Sequence, residues 1–419
     1  MLSHAVRRMA RWEPLEALDL WQTIKPRYPF SQSQITRTEH RLVRGLARTP
    51  GDASYRFIRS VQVGDEDRKV HEARTTAALM REDWPQVLRW IEAMPEKEHE
   101  QLRWRYWRAR ALDASGDWAA AHVLYRDIAK ERDYYGFLSA DRVGVDYHLK
   151  HAETPASQKS IQRIAQLDAV RRADELFALE RWTDARREWR SATRDMTPEQ
   201  LQAAAKLAKQ RGWHDRAIFT LARTGYWDDL ELRFPLEHEE LVTENARLHG
   251  LDIAWVFAVM RQESAFMNNA RSHAGAMGLM QLMPATARQV AKDVLKTPPP
   301  RRQELFQPDT NIALGSAYLK QMKGRLGDSA VLATAAYNAG PHRVTRWLPE
   351  KTLPADIWIE LVPFKETRGY LKRVLAYTVI YEKRMGRQPK RLKQRLHPVP
   401  PTAGMIGRLR NDGATATAG

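Results

Sequence analysis

Glu263 is the residue of this 419-residue chain whose sequence position most favours acid–base chemistry. Ile253, Val256, Phe257 and Met260 follow the spacing i, i+3, i+4, i+7, which predicts a helix with a core-facing apolar stripe. Continuing that stripe by three residues reaches Glu263. Burial disfavours the charged form of a carboxyl group and raises its pKa, which is what a general acid working near neutral pH requires.

For Glu263 taken alone, a purely structural role is the favoured interpretation, since a buried glutamate usually pairs with a cation such as Arg261 or Arg271. The segment Gly275–Pro284 favours the catalytic interpretation. Its glycines allow another surface to approach the backbone closely, its three methionines supply flexible apolar walls, and Gln281 supplies an amide. These residue types suit the wall of a saccharide cleft, although a methionine stripe at helical spacing is also typical of a core.

Four short segments, taken in order, resemble a known family. They are Glu263-Ser264 at the end of a helix, Gly278-Leu-Met-Gln-Leu-Met-Pro284, Ala335-Ala-Tyr-Asn-Ala-Gly340 and Pro363-Phe-Lys-Glu-Thr-Arg-Gly-Tyr370. This series is similar to that of the soluble lytic transglycosylases, which cleave peptidoglycan with a lysozyme-like catalytic domain. The four segments span roughly 110 residues, so their common order is a specific signal.

The resemblance implies that Glu263 is the single general acid/base. It would protonate the glycosidic oxygen and then, as a carboxylate, take the proton from the C6 hydroxyl of the same muramic acid. That hydroxyl attacks C1 and forms a 1,6-anhydro ring. Most glycosidases need two carboxyl groups, but a tethered nucleophile supplied by the substrate removes the need for the second. The sequence accordingly has no Asp or Glu between Glu263 and Asp293.

The resemblance also implies a set of substrate-binding residues: Ser272, Gln281, Met283, Tyr337, Asn338 and Glu366. Tyr337 is expected to bond either Glu263 or the reacting sugar, and Glu366 to contact the saccharide or its peptide. Local roles remain open for several of them. Ser272 could be satisfied within its loop, Asn338 could cap its own helix end, and Glu366 could favour a helix N-terminus through the dipole.

Residues before about 235 show a repeat. Trp84, Trp118, Trp182 and Trp213 begin similar segments at separations of 34, 64 and 31 residues, so a unit of about 32 residues fits if one copy has diverged. Such a period predicts paired helices stacked as a solenoid, with the tryptophans as packing residues.

We therefore predict an all-α protein made of a helical-repeat solenoid followed by a lysozyme-like α-helical domain. The predicted limits are 1–234 for the repeat region, which resembles the superhelical region of the family, 235–386 for the catalytic domain, and 387–419 for a basic, solvated and disordered tail.

The charge pattern bears on partners. The net charge of +17 and a pI near 10 would permit nucleic-acid binding, but the basic residues of the repeat region are interspersed with acids and no nucleic-acid motif is present. The expected partners are peptidoglycan glycan strands and stem peptides, with no nucleic acid. Cysteine is absent and the histidines lack metal-ligand spacing, so no metal and no cofactor are expected.

The compartment follows from the resemblance. Met1–Arg11 has no apolar run typical of a secretory signal, and no stretch has the length of a transmembrane helix. Because the family's substrate lies outside the cytoplasmic membrane, we expect a periplasmic protein and an N-terminus that is truncated or misassigned. Two other functions stay open: a muramidase that hydrolyses the same bond with water, and a peptidoglycan-binding scaffold without catalysis.

Overall fold

The computed structural model describes residues 1–64 and 67–402, and their secondary structure is helical. Within those residues no β-strand forms; three isolated bridges join Arg271 to Met277, Met277 to Leu282, and Leu353 to Val399. The prediction of an all-α fold is confirmed.

The α-helices are numbered in chain order. They are α1 (Leu2–Met9), α2 (Pro14–Ile24), α3 (Gln32–Leu46), α4 (Asp52–Ser60), α5 (Arg68–Arg81), α6 (Trp84–Glu92), α7 (Glu96–His99), α8 (Leu102–Ala114), α9 (Trp118–Ile128), α10 (Tyr134–Val143), α11 (Gln158–Ala165), α12 (Asp168–Ala178), α13 (Trp182–Ala192), α14 (Pro198–Gln210), α15 (His214–Ala222), α16 (Leu230–Arg233), α17 (Glu239–Leu248), α18 (Ile253–Glu263), α19 (Pro284–Val290), α20 (Pro308–Arg325), α21 (Ala330–Ala339), α22 (Pro341–Arg346), α23 (Ala355–Leu361) and α24 (Lys365–Arg384). A π-helical turn covers Ala291–Leu295, and 3₁₀ turns cover Arg302–Phe306 and Leu392–Gln394.

The chain divides into two compact units. Among the described residues, the first contains 1–64, 67–148, 347–368 and 396–402, and the second contains 149–346 and 369–395. Neither unit is continuous in sequence, and their division does not coincide with the predicted domain limits at 234 and 386. In particular, the second unit combines the later helical repeats with the segment that carries Glu263. The predicted limits therefore stay a prediction.

Paired helices account for the repeat. The second helix of each pair follows a residue with left-handed backbone: Glu82 precedes α6, Gly116 precedes α9, Glu180 precedes α13 and Gly212 precedes α15. These four residues are separated by 34, 64 and 32 positions, which is a more regular period than that of the tryptophans. In the fourth pair the tryptophan is shifted by one position relative to the helix, because His214 rather than Trp213 begins it.

The tryptophans lie at or directly before a helix start, but they do not share a common degree of burial. Trp213 packs as predicted: its ring stacks on Phe177 with centroids 4.0 Å apart and meets Trp189 edge-on at 5.5 Å. Trp118, in contrast, is 72% exposed, so its predicted role as a packing residue is wrong. Its position at the first residue of α9 places it before the turns of that helix that bury Ala121 and Tyr125.

A buried ionic network lies in the core of the first unit. Arg103 of α8 reaches Glu360 of α23 at 2.6 Å and Glu72 of α5 at 2.5 Å, while the Tyr106 hydroxyl donates to Asp356 at 2.8 Å. Burial opposes the charge of Arg103, but Glu360, Tyr135 and Glu72 together outweigh that effect and raise its pKa. The network fixes α23 within the first unit, since an unpaired charge in this core would be costly.

Helix α18 forms the centre of the second unit. Asp252 caps its N-terminus by accepting the Ala254 N–H at 2.9 Å, and every residue from Ile253 to Met260 is buried. The sequence predicted one apolar stripe, but the helix is surrounded on all sides. Its end at Glu263 agrees with the predicted position of that residue.

Within residues 387–402 the basic segment makes contacts with folded elements, which differs from the predicted solvated tail. Arg395 pairs with Asp252 and with Glu382, both at 2.6 Å, and so contributes to the fold of the second unit. Residues 403–419, including the predicted low-complexity end, lie outside the described residues. Across the part of the chain that is described, none of the helices has both the length and the apolar character that a membrane span requires.

Candidate active site

Glu263 is the last residue of α18, and the backbone turns away directly after it. Ser264 caps the helix, and Ala265 and Phe266 follow with left-handed φ values of 52° and 66°. The Ser264 hydroxyl accepts the Phe266 N–H at 3.1 Å, which satisfies a backbone donor inside this reversal. The buried helix therefore fixes the Cα of Glu263, while the reversal keeps its side chain only half-buried.

Tyr370 of α24 donates a hydrogen bond from its hydroxyl to Glu263 Oε1 at 2.7 Å. The tyrosine is 3% exposed. Burial, followed by the nearby Glu263 carboxylate, raises the pKa of Tyr370 well above its usual value. The phenol consequently stays protonated and acts as a donor to Glu263 across the physiological pH range.

A second contact joins the same two helices. Arg373 of α24 donates from Nε to Gln262 Oε1 at 2.7 Å, next to the Tyr370–Glu263 bond. Two hydrogen bonds at adjacent residues of α18 hold the end of this helix against α24. The Glu263 carboxyl thereby has a fixed neighbour on one side, which pre-organises it for proton transfer.

Tyr337 of α21 supports the adjacent turn. Its hydroxyl donates to the Met280 carbonyl at 2.8 Å. Burial and then the Glu263 charge raise the pKa of Tyr337 well above the ordinary phenol value. The sequence had suggested Tyr337 as a hydrogen-bond partner of Glu263 or the sugar. In the structure Tyr370 donates to Glu263, and the Tyr337 hydroxyl donates to the Met280 carbonyl.

Residues Met277–Leu282 form a tight turn. Met277 and Leu282 exchange backbone hydrogen bonds of 2.9 and 3.0 Å, and Gly278 and Gln281 between them have left-handed φ values of 78° and 49°. A Cβ on Gly278 would lie 2.1 Å from the Leu305 carbonyl oxygen, so glycine is needed for space as well as for conformation.

The Asn311 side chain of α20 stabilises this turn by hydrogen bonds. Its buried amide accepts the Met280 N–H at 2.8 Å and donates to the Met277 carbonyl at 3.0 Å and the Leu305 carbonyl at 2.7 Å. Gly315, one turn along α20, leaves room for Met280, whose sulfur would lie 2.3 Å from an added Cβ. The Gly- and Met-rich segment is thus a rigid turn, not an amphipathic helix.

Three of the predicted substrate-binding residues lie in this turn or close to it in sequence. Gln281 donates from Nε2 to the Gly278 and Ala270 carbonyls at 2.8 and 3.2 Å, which leaves its amide oxygen as the atom suited to a ligand. Met283 occupies the N-cap position of α19 and is 41% exposed. Ser272 accepts the Ala276 N–H at 3.0 Å, the local bond that the sequence had left open as an alternative.

The remaining two predicted residues lie in different units. Asn338 is half-buried beside Tyr337 in the last turn of α21, which ends at Gly340 with a φ of 87°. Glu366 is exposed in the first turn of α24 and belongs to the first unit, whereas Glu263 belongs to the second. The geometry therefore joins Tyr337 to the Met280 turn, while the role of Glu366 stays a prediction.

Sequence reasoning missed Tyr370 and Asn311 as site residues. Tyr370 closes the fourth recognised segment, and its sequence signal was its position at the end of that motif. Asn311 is a polar residue next to the apolar run that begins at Ile312, which is a weaker signal. Neither hydrogen bond follows from spacing, since each joins residues more than 30 positions apart.

An all-α fold with a tyrosine-bonded glutamate at the end of a central buried helix is typical of the lysozyme-like class of fold and site. Comparison with known proteins is more specific. The transglycosylase SLT domain matches residues 240–356, the soluble lytic murein transglycosylase L domain matches 163–230, and the soluble lytic transglycosylase helical domain matches 361–390. The chain belongs to the soluble lytic transglycosylase family.

Individual relatives agree. A soluble lytic murein transglycosylase of Salmonella typhimurium is 33% identical over 340 residues, which are 80% of this chain and 52% of that protein. The structure of an inactive mutant of the lytic transglycosylase Slt of Pseudomonas aeruginosa superposes with a TM-score of 0.87 at 38% identity, covering 93% of this chain and 64% of that one. The 70 kDa soluble lytic transglycosylase of Escherichia coli gives a TM-score of 0.82 at 28% identity, covering 92% and 63%. The chain spans about half the length of the curated relatives that it matches.

Proposed function

We propose that the protein is a peptidoglycan lytic transglycosylase. It cleaves the β-1,4 bond between N-acetylmuramic acid and N-acetylglucosamine and leaves a 1,6-anhydromuramic acid end. The observation that carries the proposal is the Glu263 carboxyl, half-buried at the end of α18 and bonded by Tyr370 at 2.7 Å. The names of the relatives supply the substrate class.

In the first step, protonated Glu263 donates its proton to the glycosidic oxygen as the C1–O bond breaks. The group becomes negatively charged during this step. A hydrogen bond from Tyr370 is stronger to a carboxylate than to a neutral acid, so it stabilises the transition state more than the ground state.

In the second step, the Glu263 carboxylate takes the proton of the C6 hydroxyl while that oxygen bonds to C1. The carboxyl returns to its protonated form, and no water enters the products. The raised pKa values of Tyr337 and Tyr370 keep both phenols out of this proton cycle, so Glu263 is the group that transfers the proton. A relative is described as inactive after a glutamate is replaced by glutamine, which supports one indispensable carboxyl.

The other predicted residues act in binding. The free amide oxygen of Gln281 and the exposed thioether of Met283 contact the sugar, and Ser272 and Asn338 border it. Tyr337 holds the Met280 turn that presents them. Glu366 binds the saccharide or its peptide. The residues up to 234 guide glycan strands, and the protein works in the periplasm.

Mass spectrometry of muropeptides tests the proposal. Purified peptidoglycan is incubated with the parent chain and with Glu263→Gln, which preserves the shape of the side chain and its ability to accept the Tyr370 hydrogen bond. We expect anhydromuramyl products from the parent and none from the variant. Products heavier by one water would identify a muramidase, and binding without any products would identify a scaffold.

A further inference from the structure

The four repeat tryptophans differ in what covers their rings. Trp84 has a guanidinium 5.2 Å from its ring centroid. The rings of Trp182 and Trp213 lie 6.1 and 4.0 Å from that of Phe177. Within the described part of the chain, neither an aromatic ring nor a cation packs on Trp118, which is 72% exposed. One repeat position therefore presents an open indole ring to solvent.

The fold does not depend on the Trp118 ring. Asp117 caps α9 by accepting the Ala120 N–H at 3.2 Å, and the buried side of the helix includes Ala121 and Tyr125. The cap and this packing fix the backbone of Trp118 while its ring stays in water. A single exposed apolar side chain is common on protein surfaces, so the neighbours of Trp118 decide whether it belongs to a site.

Those neighbours form one continuous exposed surface on α9. Its members are Trp118, Ala119, His122, Val123 and Arg126, and we call them the α9 face. With 3.6 residues per turn they cover about 140° of the helix circumference. Trp118, His122 and Arg126 are spaced by four residues and so follow one ridge. The α9 face lies entirely in the first unit.

Hydrogen-bond donors lie beside the ring. Arg126 donates from Nε to His122 Nε2 at 3.0 Å, so the proton of this neutral imidazole is on Nδ1 and is a further donor. Within residues 1–64 and 67–402 no carboxylate lies within ion-pair distance of Arg126. The adjacent acid, Asp127, pairs with Lys130 at 3.0 Å and with Arg105. Most donors of the Arg126 guanidinium, and its charge, are therefore left for a ligand.

This combination of groups favours a saccharide that carries an acid. A flat indole suits the apolar face of a sugar ring, the donors suit hydroxyl and acetamido oxygens, and the guanidinium suits a carboxylate. A nucleic acid fits less well. Its affinity comes mainly from neutralising several phosphates, whereas the α9 face has one uncompensated cation, Arg126.

We propose that the α9 face is a second saccharide-binding site, which holds a peptide-bearing glycan strand with one sugar on Trp118 and a stem-peptide carboxylate on Arg126. This inference rests on the proposed peptidoglycan substrate. The two residues are eight positions apart, about 12 Å along the helix axis, so the sugar and the peptide of one strand are bound together. The site retains the polymer on the protein and takes no part in the proton transfer of Glu263.

Fluorine NMR of the chain labelled with 5-fluorotryptophan tests this site directly. The Glu263→Gln background prevents cleavage, and the Trp118 resonance is identified by its loss in Trp118→Phe. The probes are glycan strands with their stem peptides and the same strands after the peptides have been removed by an amidase. We expect both probes to shift the Trp118 resonance saturably, with half-saturation at about tenfold lower concentration for the peptide-bearing strands. Arg126→Gln should remove this difference by weakening the peptide-bearing strands alone, and Arg126→Lys should restore part of it.

Trp12 is the matched control within the same spectra. It is 77% exposed in the same unit, but the Arg11 guanidinium lies 4.9 Å from its ring centroid. Its resonance should not move, and equal shifts for both tryptophans would mean unspecific adsorption and overturn the inference. Equal weakening of both probes by Arg126→Gln would overturn the carboxylate assignment. A parent that releases anhydro products while its Trp118 resonance stays unmoved would refute this site alone, whereas a saturable Trp118 shift without anhydro products would refute the proposed reaction alone.

Discussion

Replacing Tyr370 by phenylalanine removes one hydroxyl from the site and nothing else. The bond that is lost is the 2.7 Å contact to Glu263 Oε1, and the phenyl ring keeps the packing of a side chain that is 3% exposed. No large cavity forms, because the change deletes a single atom at the edge of the ring. The effect on turnover therefore reports the hydrogen bond.

The magnitude follows from the charge of the acceptor. A hydrogen bond to a charged group contributes about 1.5–3 kcal/mol, compared with about 1 kcal/mol for a neutral pair. Because Glu263 becomes charged as it gives up its proton, loss of the bond raises the barrier by up to about that larger amount. Tyr370→Phe should lower kcat/KM by roughly 10- to 100-fold, since each 1.36 kcal/mol corresponds to a factor of about ten.

The assay is the initial rate of anhydromuropeptide release, with circular dichroism to show that the variant folds. Tyr377→Phe is the matched control: it lies two turns further along α24, and its ring packs against Phe234 at 5.1 Å. We expect it to retain the parent rate within about threefold. A Tyr370→Phe rate as high as that of the control would refute the role assigned to the bond.

Three further changes test the scaffold. Gly278→Ala should abolish activity and lower the melting temperature, because the added Cβ would lie 2.1 Å from a carbonyl oxygen. The control is Gly275→Ala, where the added Cβ has open space, and it should lower the free energy of unfolding by only about 1–2 kcal/mol because of the positive φ. Asp229→Asn should speed amide exchange, at neutral pH, of the backbone N–H groups that donate to Asp229. Burial would raise the pKa of Asp229, but its hydrogen bonds outweigh burial and lower it. The stabilisation is therefore present above the unfolded pKa and is lost as the pH falls through the folded pKa, so parent and variant should converge in acid. Arg103→Met should destabilise the first unit by about 3–5 kcal/mol, because it removes the cation that lies 2.6 Å from the buried Glu360 carboxylate. Arg108→Met, from an exposed pair at 3.4 Å, should cost less than about 1 kcal/mol, and equal melting temperatures for these two variants would contradict the inferred burial cost.

The sequence carried the local features of this protein. The apolar periodicity before Glu263 predicted α18 and its end, because burial of a helix face imposes a 3.6-residue period on the residues that form it. The repeat likewise predicted paired helices, since each pair needs the same start signal at the same place. The order of four motifs then placed the chain in its family.

What the sequence left undecided depends on contacts between distant residues. Periodicity along α24 gives no indication that Tyr370, and not Tyr337, bonds Glu263, because the choice depends on how three helices pack. The same holds for Arg395, whose basic neighbours suggested a solvated tail until its two acid partners in α24 and at the α18 cap came together. Short-range spacing determines which face a residue occupies, whereas the partner on that face is decided only by tertiary packing.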